Sequence, residues 1–372
     1  MIKVFKHLKK PYVVVVGGGT GGHIFPAQAV AEKLHQRGHH VLYMTDTRGL
    51  AYHAKPAGVP MAVLKLPPYR PGLMNKISLA LRLTAGILSV SLLFLWKRPA
   101  LVVGFGGYPS FPPLAAAVVE RIPFMMHEQN AYVGRVTRWL ARFAEKITST
   151  FPSMKGVRPA DLSKIVLTGN PIRPSIKALR NMPYKAPSKT IHLFVVGGSQ
   201  GAKIFSTLLP QAIALLPADL RQRLSIVQQC RPEFEQTTTD LYKTAGVKVT
   251  LAPFFQDIAA EYKKAHLILS RAGASTVTEL AVIGRPALFF PLPTAMDDHQ
   301  RHNAQSLVDR KAGWMVHENG LTAPLLAETL NKILVDIKGL EKAAENIHAV
   351  GVTTADELLA DVVETLLLPV EK

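Results

Sequence analysis

Along the chain, short apolar runs alternate with stretches in which apolar residues return every three or four positions. The runs are "PYVVVV", "HVLYM", "MAVLKL", "ALVVGFG", "PFMMHE" and "KITSTF" in the first half. Runs without internal polar alternation predict strands buried on both faces, and the helical stretches between them predict crossovers of a parallel sheet. The rhythm restarts at "TIHLFVV" and continues through "RLSIVQQ", "VKVTLAP", "AHLILS", "PALFFPL" and "AGWMV". The expected fold class is therefore α/β, with two Rossmann-like, doubly wound parallel-sheet domains. Between the two rhythms lies "LTGNPIRPSIKALRNMPYKAPSKT", whose four prolines mark a connection with its hinge near Gly169–Arg173. Domains are expected at 1–170 and 171–350, with a closing helix at 351–372 packing back on the first domain.

Two of the predicted strands run directly into glycine. "GGGTGGHIFP", Gly17 to Pro26, follows the first strand, and "FVVGGSQGAK" repeats the device in the second half, with Ser199 inside it. Glycine lets the backbone come close to a ligand, and the N–H groups and dipole at a helix start attract an anion. The first turn is thus a phosphate-type site with His23 at its edge. Gly17, Gly19 and Gly22 also satisfy the G-x-G-x-x-G spacing, and Asp46 ends the next strand where a dehydrogenase holds ribose. By itself the motif permits a nucleotide-sugar site or a dinucleotide site. Two such sheets with ligand edges facing each other make a cleft.

Composition narrows the classes. The chain has 372 residues, 48% hydrophobic and 19% charged, which excludes a disordered protein and is enough for two cores. One cysteine, Cys230, rules out an internal disulfide or a cysteine-rich metal site and reads as a small core residue. The basic start "MIKVFKHLKK" precedes too short an apolar run for a signal peptide. Charge is uneven: residues 1–170 carry 22 Lys and Arg against 6 Asp and Glu, and residues 171–372 carry 22 against 20. No acid occurs between Asp46 and Glu120. Such a surface suits anionic lipid, nucleic acid or a phosphorylated substrate.

The apolar stretch "ISLALRLTAGILSVSLLFLW", Ile77 to Trp96, is long enough to span a bilayer, but Arg82 lies inside it and a crossover helix has no route through one. It is expected either to be buried on the sheet or to dip an outward face into a membrane. Lys76, Lys97, Arg98 and the loop "PPYRPGLM" flank it and favour the second.

Further polar groups gather at predicted strand ends. "MHEQN" sets His127, Glu128, Gln129 and Asn130 in a row, and "GFGGYPSFPP" offers Gly106, Gly107 and Tyr108 to a second substrate. In "SRAGASTVTEL" the amides of Ala274, Ser275 and Thr276 open a helix. Glu279, expected at the end of its first turn, serves as a capping partner or accepts from ribose hydroxyls. In "PTAMDDHQRHNAQ", Asp297 and Asp298 suit a helix start without a metal, and Gln300 suits sugar hydroxyls.

Taken in order, "GGTGGHIFP", "GGYPS", "HEQN", "GNPIR", "VVGGSQGA", "RAGASTVTEL" and "DDHQRHNA" resemble the MurG family, the membrane-associated N-acetylglucosaminyltransferases of peptidoglycan synthesis, over nearly the whole chain. The resemblance implies a glycosyltransferase-B fold and an inverting, β-forming transfer of N-acetylglucosamine. The donor is UDP-N-acetylglucosamine, and the acceptor is the muramyl 4-hydroxyl of undecaprenyl-diphospho-muramyl-pentapeptide. It implies donor contacts at Thr20, Gly21, Gly22, Asn130, Arg173, Ser199, the backbone of Phe255, the run Ala274, Ser275, Thr276, Val277, Thr278 and Glu279, and Gln300. His299 departs from the glutamine some members carry there. His23 is the expected base and Glu128 the reserve. No cofactor or metal is expected. Partners implied are the two substrates, an anionic membrane surface at the cytoplasmic side of the bacterial inner membrane and other cell-wall synthesis proteins, with no nucleic acid. The rivals are a glycolipid synthase, a nicotinamide-dependent oxidoreductase and a non-catalytic membrane-surface protein.

Overall fold

The structure is a computed structural model and describes residues 8–51, 55–66, 73–198 and 201–368. Two compact units emerge, one formed by Met1–Arg173 with Thr353–Lys372 and the other by Pro174–Val352. The chain thus passes to the second unit after Arg173 and returns at Thr353.

The first unit holds a seven-stranded, all-parallel sheet: β1 (Tyr12–Val16), β2 (His40–Asp46), β3 (Met61–Leu64), β4 (Leu101–Gly104), β5 (Phe124–Glu128), β6 (Lys146–Ser149) and β7 (Ile165–Leu167). Strand β7 was not expected; it is three residues long, partly exposed and at the sheet edge, so its apolar signal is weak. The order is β3-β2-β1-β4-β5-β6-β7, which reverses between β1 and β4. Ligands of open parallel sheets bind at that switch point, outside the carboxyl ends of the strands.

Alternate residues of the strands serve two cores. Val14, Val16, Leu42, Met44, Val102 and Met126 pack with α2 (Leu73–Trp96) and α3 (Phe111–Val119) on one face. Val13, Val15, Val41, Tyr43, Leu101, Val103 and Met125 pack with α1 (Gly21–Gln36) on the other. Leu359, Ala360 and Val363 of the last described helix join this second core. A strand buried on both sides explains the unbroken valine run of β1.

In the second unit the parallel sheet has β8 (Ile191–Val196), β9 (Leu224–Gln229), β10 (Lys248–Ala252), β11 (Leu267–Ser270), β12 (Ala287–Phe289) and β13 (Trp314–Met315). The order β10-β9-β8-β11-β12-β13 places its switch point between β8 and β11. The helices that bear on function here are α4 (Ala274–Ile283) and α5 (His299–Val308).

Candidate active site

In the first unit, three segments gather beyond the ends of β1, β4 and β5. Helix α1 starts at Gly21, three residues earlier than the apolar pattern indicates, so Gly21, Gly22 and His23 form its first turn. Gly17 admits no side chain, since a β-carbon there would stand 2.4 Å from the Ala27 β-carbon. This close approach seats α1 directly on β1. Thr20 is the N-cap residue, and its hydroxyl lies 3.0 Å from His23 Nδ1 instead of capping the helix.

The loop is braced from β2. Asp46 is fully buried and accepts from the Gly19 amide (3.1 Å), the Gly49 amide (3.2 Å) and Arg48 Nε (2.8 Å). The Arg48 guanidinium in turn lies over the Tyr108 ring. An aspartate consumed in this way has no oxygen turned to a ribose, which corrects the dinucleotide reading of Asp46. Gly106 and Gly107 both adopt positive φ and carry Tyr108 into a short helical turn. Burial raises the Tyr108 pKa and the Arg48 charge opposes that shift.

Glu128 is buried and its two oxygens are spent on its own turn. Oε1 accepts from the amide and side chain of Asn130 (3.1 and 3.3 Å), and Oε2 accepts from the Gly134 amide (2.9 Å) and the Thr137 hydroxyl (2.8 Å). Burial raises its pKa, and these bonds pull the other way. The arrangement makes Glu128 the organiser of the turn that presents Asn130. Beside it, His127 is completely buried, with Nδ1 3.0 Å from Thr148 Oγ1 and Nε2 3.2 Å from Asn170 Oδ1. Burial lowers its pKa to about 4, so it is neutral at ordinary pH.

In the second unit, α4 begins right after β11. Its first helical bond runs from the Val277 amide to the Gly273 carbonyl, leaving the N–H groups of Ala274, Ser275 and Thr276 without helical acceptors. Three N–H groups at a helix start form an anion site. Glu279 lies in the second turn of α4, too far along for a capping box, which requires the third helical residue. Its buried carboxylate accepts from the Tyr262 hydroxyl at 3.4 Å. Val277 and Thr278 are buried, and Thr278 bonds back to the Ala274 carbonyl, so their part is in shaping the helix.

Gln300 binds backbone first. Its oxygen accepts from the amides of Ala272 (3.2 Å) and Leu292 (3.1 Å), which ties the β11 and β12 loops together and leaves its amide N–H groups for a ligand. Asn303, one turn on, donates to the Ala272 carbonyl at 3.1 Å. Asp298 accepts from Arg301, and both Asp297 and Asp298 adopt positive φ; Asp298 caps no amide of α5. His299 turns Nδ1 to the Met296 carbonyl. Phe255 meets Phe194 edge to face, and Phe194 meets Tyr262. Arg173 ends the first unit, and Ser199 lies outside the described residues. Among the described residues no group of three metal-ligating side chains occurs.

Three further polar residues of these sites, Tyr262, Asn303 and Gln129, have no distinguishing signal in the sequence. Tyr262 and Asn303 carry helical patterning that reads as core, and Gln129 is one of four consecutive polar residues at the end of β5.

Helix α2 is not wholly buried. Val90 and Phe94 face the sheet, whereas Leu81, Leu88, Leu92 and Leu95, at helical spacing, are each more than half exposed with Trp96 beside them. Arg98 does not stand free as a lipid contact: it donates to the carbonyls of Glu120 (2.8 Å) and Arg121 (2.7 Å), closing the end of α3. The loop 67–72 and the Lys76 side chain fall outside the described residues.

Two Rossmann-like parallel-sheet units, one with an imidazole and one with helix-start amides at its switch point, have the architecture of the glycosyltransferase-B fold. Residues 13–149 match the glycosyltransferase family 28 N-terminal domain and residues 192–359 match its C-terminal domain. The chain belongs to glycosyltransferase family 28. It is 45% identical over 353 residues to the UDP-N-acetylglucosamine–N-acetylmuramyl-(pentapeptide) pyrophosphoryl-undecaprenol N-acetylglucosamine transferase of Rhodospirillum centenum, covering 94% of this chain and 93% of that one. To the transferase of the same name from Caulobacter vibrioides it is 41% identical, covering 94% and 98%. A crystal structure of Acinetobacter baumannii MurG superposes with a TM-score of 0.78 at 30% identity, covering 95% of this chain and all of that one. A putative UDP-N-acetylglucosamine 2-epimerase from Listeria monocytogenes shares the fold at 13% identity, with a TM-score of 0.69 and 98% of each chain covered.

Proposed function

We propose that the protein transfers N-acetylglucosamine from UDP-N-acetylglucosamine to the 4-hydroxyl of the muramyl sugar in undecaprenyl-diphospho-muramyl-pentapeptide, with inversion at the anomeric carbon. The observation that carries this reading is the full-length likeness to transferases of that name, at 45% and 41% identity, with both family 28 domains in place. Fold alone would not choose, since an epimerase shares it.

The chemistry follows from where charge appears. As the acceptor oxygen bonds to the anomeric carbon, the bond to UDP breaks and its electrons leave with the diphosphate. The free amides at the start of α4 and the Arg173 guanidinium supply the positive environment for that charge. Glu279 accepts from the ribose, and the Gln300 amide N–H groups face the donor sugar. His23, at the partly exposed start of α1, takes the proton of the acceptor hydroxyl. No metal or cofactor has a step to perform.

The enzyme works at the cytoplasmic face of the inner membrane, held peripherally by the outward row of α2. An apolar row at helical spacing on a basic domain is suited to lying in an anionic lipid surface. The deciding experiment incubates purified protein with radiolabelled UDP-N-acetylglucosamine and a short-chain analogue of the lipid acceptor. Label should appear in a β-1,4-linked disaccharide on the lipid. Transfer to diacylglycerol instead, or release of UDP without acceptor, would replace this reading.

A further inference from the structure

Gln129 is 2% exposed, and its carboxamide is held at one end only. Nε2 donates to the Phe105 carbonyl at 2.9 Å, while Oε1 is buried without a hydrogen-bond partner. An orphaned buried acceptor costs free energy that folding must offset elsewhere, so it marks a place where a donor belongs.

The place can be located. Gly106 adopts φ +75°, and a β-carbon there would stand 3.5 Å from His23 Nε2, 3.3 Å from His23 Cδ2 and 3.6 Å from Gln129 Oε1. The absent side chain of Gly106 therefore leaves a small gap with the imidazole on one wall and the orphaned oxygen on another. The other ring nitrogen also lies over the glycine loop, 3.5 Å from where a Gly107 β-carbon would stand, but its polar partner is the exposed Thr20 hydroxyl at 3.0 Å. The two nitrogens of His23 thus differ in the polar group each meets.

We propose that Gln129 is the positioning residue for His23. Its oxygen holds the proton on Nε2 through one water in the Gly106 gap, so that Nδ1, bonded to the Thr20 hydroxyl in this structure, becomes the proton acceptor when the acceptor hydroxyl takes the place of Thr20. A base needs its other nitrogen held to keep one tautomer, and a neutral amide does this without the large rise in basicity that a carboxylate brings. In transfer, the acceptor O–H proton passes to Nδ1 while its oxygen bonds to the anomeric carbon and UDP departs. The other titratable groups around the gap keep to this scheme. His127 opposes a second positive charge and is itself neutral, Tyr108 follows Gly107, and Asp46 and Arg48 pair with each other beneath the glycine loop.

The inference rests on His23 being the base, and its test separates the two. In protein with 15N-labelled histidine, NMR above the His23 titration should show the Nε2–H tautomer; the Nδ1–H tautomer overturns the inference whatever the turnover. Gln129→Met should give a mixture of tautomers and lower kcat by about 10- to 100-fold, the usual worth of a group that orients another, with the donor KM nearly unchanged. Gln129→Glu sets a carboxylate against the ring and should move the acidic limb of the kcat profile upward by about one pH unit. A limb that stays in place in a folded Gln129→Glu protein also overturns it. If His23→Ala keeps the acidic limb, the base assignment fails, while the tautomer result stands by itself.

Discussion

The two units share one strand order over six strands, to which the first adds β7 at its edge, and differ in what they set at the switch point. The first presents an imidazole in the first turn of α1, a tyrosine stacked on an arginine, and an outward apolar row on α2. The second presents three free amides, a buried carboxylate and a carboxamide that binds backbone. Charge follows the same division, with 22 basic against 6 acidic residues up to residue 170 and 22 against 20 after it. One topology thus carries two different sets of groups, and under the proposed function the first set serves proton and lipid and the second the nucleotide, because the loops and not the strands carry the chemistry.

The division is broken most severely at His23. His23→Ala should lower kcat by roughly two to four powers of ten, the usual worth of general-base catalysis, while the donor KM changes little. The acidic limb of the pH–rate profile should vanish with it. A variant that loses donor affinity and keeps its limb would move His23 to the nucleotide side of the comparison.

Glu279→Ala tests the second unit in the opposite sense. Loss of a charged hydrogen bond to ribose should raise the donor KM by about 10- to 100-fold, equivalent to about 1.4 to 3 kcal/mol. The acceptor KM should hold. Against a 2′-deoxyribose donor the wild type should discriminate and the variant should not. Equal discrimination in both proteins would assign the carboxylate to Tyr262 and helix packing alone.

A smaller effect is expected on α2. Serine at Leu88 and Leu92 should weaken binding to vesicles containing anionic lipid by about tenfold, since each buried leucine is worth about 1.5 kcal/mol or more and only part of each enters the lipid. Transfer to a soluble short-chain acceptor should be unchanged. Binding by the variant equal to that of the wild type would leave the apolar row without a role at the membrane.

Sequence patterning reveals the strands because a strand buried on both faces must be apolar throughout, as β1, β4 and β12 are. The glycine turns are legible for the same steric reason, seen at Gly17. What sequence does not reveal is how a polar side chain spends its atoms. Asp46, Glu128 and Gln300 all read as ligand contacts, and each turns out to bind loop backbone first. Arg98 reads as a surface charge and closes a helix. Those assignments depend on partners distant in the chain, for which no local spacing gives a signal. The start of α1 is hidden in the sequence for a related reason: the glycines and His23 have no apolar periodicity, yet their backbone is helical.

The last comparison takes one histidine of lowered pKa from each unit. Burial lowers the pKa of His127 to about 4, and burial with the charges of His192 and Arg285 lowers that of His266 to about 4. An unfolded histidine titrates near 6.5, so between about pH 6.5 and pH 4 the unfolded chain binds a proton that the folded chain refuses. Stability is therefore full above that window and falls as the pH drops through it, by at most about 1.4 kcal/mol per pH unit for each fully buried histidine. His127 is wholly buried, whereas His266 is partly exposed, its Nδ1 accepting from the His192 amide at 2.9 Å. Solvent reaches the second ring and reduces its share. Native-state hydrogen exchange of β5 and β11 amides at pH 7 and pH 5 reads each unit separately. Acid should loosen β5 more than β11, and His127→Gln, which keeps a donor and an acceptor, should flatten the β5 response. An equal response of β5 in His127→Gln and wild type would mean that another group of the first unit takes up the proton.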